Sequence, residues 1–250
     1  MGIQFQTKNI DAIALALQPQ TKLLTFEGTV RSSKTVTAIQ AFFYRVYNSD
    51  NLMHLIAGRD FDSINDNILE ANGLGLIPQF SRYCSLKKGK IGGNYVELVS
   101  PKGVKKIKLA GYSNKAQWKK VLGGSIECIF TDEVNIADKQ FIDECFARQT
   151  SFDHPFTIFT LNGDIPQHYI YTDYINKCKI IGNAPASIRA DMDKVQSNPG
   201  WYYMHWTFED NPIMTPEKIA YAKSLYPVGS YYYTIKILGE RGTPGDLIFL

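Results

Sequence analysis

Apolar and polar positions along the 250-residue chain fall into two repeating patterns. Leu23–Phe26, Asn51–Ala57, Ile126–Phe130 and Phe156–Thr160 are short, nearly continuous apolar runs, as expected of strands buried on both faces. Between them, residues 9–17 (with Asn9 or Asp11 near the start), Lys34–Tyr47, Asp138–Gln149 and Gln167–Asn176 read as helices, and a more polar helix is predicted around Asp60–Glu70. Strands and helices that alternate in this way predict a parallel sheet covered on both faces. Tyr95–Val99 and Lys105–Ala110 instead alternate about Ser100-Pro101-Lys102-Gly103, which predicts a hairpin on the sheet's edge. Lys115–Leu122 reads as a short basic helix stopped by Gly123-Gly124.

The texture changes after residue 181. Residues 182–200 are expected to form a mobile connection, and Trp201–Phe208 is aromatic and strand-like. Asp210-Asn211-Pro212 then breaks the chain, and Thr215-Pro216-Glu217 opens a helix with threonine as cap and proline at the first position. The predicted division is a core over 1–181 and a linker with a small lid subdomain over 182–250.

Composition narrows this picture little. With 44% hydrophobic residues and 27 basic against 24 acidic side chains, the bulk charge does not mark a nucleic-acid binder. No run approaches the roughly 20 apolar residues of a membrane span, and the N-terminus lacks a signal-peptide pattern. An intracellular setting is therefore expected. Cys84, Cys128, Cys145 and Cys178 contain no CxxC pair, and His54, His154, His168 and His205 lack metal-ligand spacing. Reduced, packed thiols are the expectation.

Candidate chemistry changes the picture more. Gly28-Thr29-Val30-Arg31-Ser32-Ser33-Lys34-Thr35 lies between a strand and a helix, the context of a phosphate-binding P-loop. Its backbone N–H groups would surround phosphate oxygens, Lys34 would reach the β/γ-phosphates of ATP, and Thr35 would offer its hydroxyl to Mg²⁺. Serine stands at residue 33 where glycine is usual, so a positive φ there would carry a cost. The competing reading is a Ser/Thr-rich loop that only caps a helix. A second signal is the apolar strand ending in Asp132-Glu133, expected to lie beside the P-loop strand. Asp132 would hold Mg²⁺ and Glu133 would polarise the attacking water. A third strand ends at Thr160-Leu161-Asn162, where Asn162 would sense the γ-phosphate.

With GTVRSSKT, IECIFTDE, TLNGDIPQHYIY, FEDNPIMTPEKI and GSYYYTIKILGERGTPGDLIF in this order, nearly the whole chain resembles the large terminase subunit of tailed phages. The resemblance implies a P-loop NTPase of the ASCE type, with a mostly parallel central sheet, helices on both faces and a small C-terminal lid. It implies an Mg-dependent ATPase that drives double-stranded DNA into a procapsid in the host cell cytoplasm. Lys34, Thr35, Asp132 and Glu133 match the ATPase positions, Thr160 and Asn162 the coupling motif, and Arg31 an arginine acting in cis on the triphosphate. The implied partners are a capsid portal protein, a small terminase subunit, a nuclease domain or chain, and further copies in a pentameric ring.

Other assignments stay open. Arg148 or the Lys119/Lys120 region is the candidate for an arginine finger in trans. Phe26, Gln18 or Gln20 is the candidate for the adenine contact. Lys87, Lys88, Lys90, Lys102, Lys105, Lys106 and Lys108 are candidates for DNA contacts or for edge-strand protection. No acidic cluster remains for a nuclease, so ATP hydrolysis without DNA cleavage is expected. The alternatives are a helicase-like P-loop ATPase and a nucleotide-binding module without turnover.

Overall fold

The computed structural model describes residues 6–89, 93–115, 118–119 and 123–245. Among the described residues, nine strands form a single sheet in the order β3-β4-β5-β2-β6-β7-β1-β9-β8. They are β1 (Leu23–Gly28), β2 (Met53–Gly58), β3 (Cys84–Lys88), β4 (Asn94–Ser100), β5 (Gly103–Gly111), β6 (Cys128–Thr131), β7 (Phe156–Leu161), β8 (Lys179–Ile180) and β9 (Trp201–Trp206). All pairings are parallel except β3 with β4 and β4 with β5. β1 and β7 are buried at every position, which is why they read as unbroken apolar runs. Helix α1 (Thr7–Leu17) and helix α2 (Lys34–Tyr47) pack on one face over Leu24, Phe26, Cys128 and Phe130. The helix Lys139–Ala147 and the segment Ile170–Lys177 cover Leu23, Leu55, Ile129 and Phe159 on the other.

Several expectations are corrected. The strand leading to Asp132 is not the neighbour of β1, because β7, which carries Thr160, runs between them. The hairpin β4–β5 is not the edge: β5 pairs with β2, and the unpredicted β3 forms the rim. The sheet does not end at residue 181, since β9 is the second neighbour of β1 along Leu23–Gly28. Within residues 182–200, the expected connection, the helix Ala186–Met192 buries Ile188 and Met192. The helices expected over 60–70 and 167–176 contain π-helical stretches, Asn65–Glu70 and Ile170–Tyr174. Part of the basic helix 115–122 lies outside the described residues.

A buried ion pair ties the far C-terminal segment to β1. Glu27 and Arg241 are 0% and 2% exposed at their side chains and lie 3.1 Å apart. Tyr171 donates to Glu27 at 2.8 Å, Arg241 donates to Asn176 Oδ1 at 2.7 Å, and the guanidinium lies 3.8 Å from the centre of the Tyr171 ring. This contact brings Gly239 against the phosphate loop. Gly239 has φ 66°, and a Cβ there would stand 2.5 Å from the Thr29 nitrogen, so only glycine fits.

Removing one partner of such a pair strands the other in a dry interior. Arg241→Met is expected to destabilise the chain by ~3–5 kcal/mol, with part of the loss recovered in the Glu27→Gln/Arg241→Met double variant. Urea denaturation reads both, and a loss below ~1 kcal/mol in the single variant would show that the pair is not what holds the segment.

Candidate functional site

β1 delivers the chain into a loop whose backbone is strained twice, with Arg31 at φ 54° and Ser33 at φ 65°. Left-handed backbone costs a non-glycine residue ~1–2 kcal/mol, so the loop needs outside support. Ser33 supplies part of it through the side chain that glycine would lack. Its hydroxyl donates to the Asp210 carbonyl at 2.8 Å, and Asn211 Nδ2 donates to the Arg31 carbonyl at 2.6 Å. Asp210 is itself fixed: its carboxylate accepts from Thr207 N at 2.7 Å and from Lys8 Nζ at 2.6 Å. Asn9 on α1 donates to Thr37 Oγ1 at 2.6 Å, and Thr37 Oγ1 donates to the Ser33 carbonyl at 3.0 Å. The Asp210-Asn211 segment and α1 thus brace the loop from below, a role that the order of the motifs does not reveal.

The loop ends at Lys34, the first residue of α2, whose side chain is almost entirely buried. Its ammonium donates to the Thr29 carbonyl at 2.9 Å and to Asn162 Oδ1 at 2.8 Å. Burial pushes its pKa down to about 8, only partly offset by the charge of Asp132. Across the cleft, Asp132 follows β6 and accepts from the Thr160 hydroxyl on β7. Its second oxygen accepts from Asn67 at 3.3 Å, on the π-helical stretch over β2's exit. The Tyr112 hydroxyl lies 3.1 Å from the carbonyl oxygens of both Asp132 and Glu133. Glu133 adopts φ 49°, a left-handed turn that points a half-exposed carboxylate into the cleft. Burial raises the pKa of both acids. For Asp132 the Thr160 hydrogen bond opposes this, and for Glu133 the charge of Asp132 adds to it.

These groups line a cleft of about 360 Å³ that includes Val30, Arg31, Lys34, Thr35, Asn67, Asp132, Glu133 and Asn162. Gly28 sits so close to β9 that a Cβ would fall 1.8 Å from the Trp206 carbonyl oxygen. The Thr29, Ser32 and Thr131 hydroxyls are buried without a hydrogen-bond partner, a pattern that suits oxygen-rich ligands such as phosphate and hydrated Mg²⁺. A second hollow, about 190 Å³, meets the loop on its other flank and is lined by Arg31, Ser33, Thr35, Val36, Asn211, Ile213 and Met214. Residue type alone does not single out Tyr112, Asn67, Asp210 or Asn211. Only the Asp-Asn-Pro break points to the last pair.

The remaining candidates do not join this site. Phe26 is fully buried against Trp206 with ring centres 4.9 Å apart, while Gln18 and Gln20 lie before the start of β1, so none of them borders the cleft. Arg148 lies at the other end of the sheet, where its carbonyl accepts from Ile126 N at 3.0 Å and its guanidinium pairs with Glu144. Lys119 is exposed, and Lys120 and Lys90 fall outside the described residues. Lys105 is fully buried and donates to the Ser49 carbonyl at 2.5 Å, so it has no surface to offer DNA. Lys87 and Lys102 pair with Glu97 and Asp50 at 3.6 and 3.0 Å, and Lys106 lies 4.5 Å from the centre of the Tyr95 ring. Lys88 is exposed and Lys108 donates to the Gly123 carbonyl at 2.7 Å. The four cysteines are free and buried, and no helix among the described residues is long and apolar enough to cross a membrane.

No protein-family profile and no curated protein matches the sequence. Solved structures do match its fold. The large terminase from a thermophilic bacteriophage superposes with a TM-score of 0.74 at 16% identity, over 95% of this chain and 53% of that one. The same phage protein has also been solved with ADP, matching at TM-score 0.74, 18% identity, and 94% and 53% coverage. The large terminase ATPase domain of a Thermus phage matches at TM-score 0.61 and 10% identity, over 91% of this chain and 95% of that domain. The chain spans about half the length of the first of these terminases. Its fold, with nine strands among the described residues in a mostly parallel sheet, is that of the ATPase domains of phage large terminases.

Proposed function

We propose that this chain is an Mg-dependent ATPase, the motor domain that couples ATP hydrolysis to translocation of double-stranded viral DNA into a procapsid. One observation carries the hydrolytic part: the Lys34 ammonium, held between Thr29 and Asn162, faces Asp132 and Glu133 across a phosphate-sized cleft. Lys34 and the loop N–H groups bind the β/γ-phosphates, and Arg31 contacts the triphosphate from the loop's outer side. Thr35 and Asp132 would hold Mg²⁺, which when bound neutralises charge developing on the phosphate oxygens. Glu133 orients and polarises the attacking water. Asn162 loses its Lys34 partner when the γ-phosphate arrives, and that exchange is the step that reports nucleotide state to the loop after β7. Thr160 keeps the Asp132 carboxylate aimed at the metal.

The triphosphate has a direction in this site. Its reactive end lies at Glu133 and Asn162, so the nucleoside leaves past Val36 into the second hollow. Ile213 and Met214 then cover the base, beside Asn211, whose amide donates to the Arg31 carbonyl and accepts from Ile213 N. Work on DNA, assembly as a pentameric ring, docking on the portal, and pairing with a small terminase subunit and a nuclease domain or chain in the host cytoplasm belong to the same proposal, which the terminase-like fold supports. A binding module without turnover would share the cleft and lack only the role given to Glu133.

Glu133→Ala is expected to lower phosphate release at least 100-fold and leave ATP affinity within about threefold. A parent chain that binds ATP and never turns it over would favour the binding module. Because Lys34 in the free protein titrates near 8 and a triphosphate favours its charged form, ATP binding near pH 9 should take up most of one proton. Binding near pH 6.5 should draw none from Lys34, and affinity should fall as pH rises through 8. Calorimetry in buffers of different ionisation heat measures the uptake, and its persistence in Lys34→Met would refute the assignment. Ile213→Asp is expected to weaken ATP about tenfold and to leave inorganic tripolyphosphate unchanged. Equal loss for both ligands would remove the base from this hollow.

A further inference from the structure

At the end of the central strands opposite the phosphate loop, the starts of β2 and β6 bring together three groups that nucleotide chemistry does not use. His54 and Cys128 each stand one residue before the paired Leu55 and Ile129, so they face the same side of the sheet, toward α2. Glu127 turns its carboxylate onto this face and accepts from the Ser49 hydroxyl just past the end of α2. His54, Glu127 and Cys128 are 0%, 6% and 0% exposed, and their ligand atoms lie within 4.8 Å of one another.

The imidazole shows what is missing. His54 Nε2 lies 3.1 Å from the Asn51 carbonyl oxygen, which only accepts, so Nε2 carries the hydrogen. The ring is fully buried with its hydrogen on Nε2, so Nδ1 presents a bare lone pair. That nitrogen has no hydrogen-bond partner and faces Glu127 Oε2 at 4.0 Å. Two acceptors opposed in a dry interior are costly unless a cation or donor lies between them. Neither nearby cation bonds to this nitrogen, although Lys105 attracts Glu127 and Arg45 reaches Cys128. Lys105 donates to Ser49 O at 2.5 Å, and Arg45 donates to the carbonyls of Ala16, Gln18 and His154 at 3.0–3.2 Å.

We propose that His54 Nδ1, Glu127 and Cys128 Sγ form a binding site for a divalent transition-metal ion of the zinc type. Imidazole, carboxylate and thiolate together suit zinc and do not suit magnesium or calcium. The outer Nε2–H···O=C bond is the support that metal-binding histidines ordinarily have. A cavity of about 530 Å³ borders the Glu127 side of this group. On binding, the Cys128 S–H bond breaks, its proton passes to solvent and a sulfur–metal bond forms, with no change of oxidation state. Ligand bonds of ~2.0–2.3 Å require the three donors to close by roughly 1 Å. The ion then joins β2 to β6, the two strands that deliver Asn67, Asp132 and Glu133 at their far ends.

The test uses the full chain, stripped with a chelator and titrated with Co²⁺ and then Zn²⁺. One equivalent of Co²⁺ is expected to give a thiolate-to-metal absorption band in the near ultraviolet, abolished by one equivalent of Zn²⁺. Zinc should raise the melting temperature by about 5 °C or more. Cys128→Ser should lose the band and weaken zinc at least tenfold, and circular dichroism checks that it stays folded. Absence of stoichiometric binding by the parent chain, or an unchanged band in Cys128→Ser, would overturn the proposal.

Discussion

One ammonium group removed from water organises the nucleotide end of this fold. Lys34 is buried at the head of α2, and its charge is tolerated because Thr29, Asn162 and the two acids surround it. Those partners come from three places in the chain, and only the strand order β6-β7-β1 brings them together. β7 between the acid strand and the loop strand therefore shapes the cleft. It supplies Thr160 to orient Asp132 and Asn162 to hold Lys34. A sheet in which β6 touched β1 directly would leave the lysine without its neutral partner.

Residues late in the chain complete the same end of the sheet. β9 pairs along the whole of β1, Asp210 and Asn211 brace the strained loop, and the Arg241–Glu27 pair seats Gly239 against Thr29. The loop's left-handed residues, Arg31 and Ser33, persist because this surrounding structure over-determines them. The serine that replaces the usual glycine is the clearest case. It bears the cost of a positive φ and returns a hydrogen bond that glycine could not make. The Asp210–Met214 segment is thus tied to the loop by two hydrogen bonds, Ser33 to Asp210 and Asn211 to Arg31.

Much of this was legible in the sequence because burial on both faces writes strands as apolar runs, and because a P-loop has fixed chemistry at fixed spacing. Lys34 was singled out that way, and Asp132, Glu133 and Asn162 as polar residues at the ends of apolar strands; the structure brings these candidates to one cleft. Pairing order was not legible. Nothing in residues 126–133 says which strand lies beside them, so the intervening β7 and the rim strand β3 were missed. The division at residue 181 followed a change of texture, yet Trp201–Trp206 is aromatic because it packs in the sheet. Lysines at 105 and 108 looked alike, and only the fold buries the first. Histidine and cysteine spacing concealed the His54–Cys128 neighbourhood for the same reason: adjacency across a sheet leaves no mark along the chain.

The central claim is that the group of side chains around Lys34 turns ATP over and does not merely bind it. Steady-state phosphate release by the purified chain, with Mg²⁺ and with linear double-stranded DNA present or absent, tests it most directly. Measurable release that DNA accelerates and that Lys34→Met abolishes is the predicted result. Tight ATP binding with no phosphate released under either condition would contradict it.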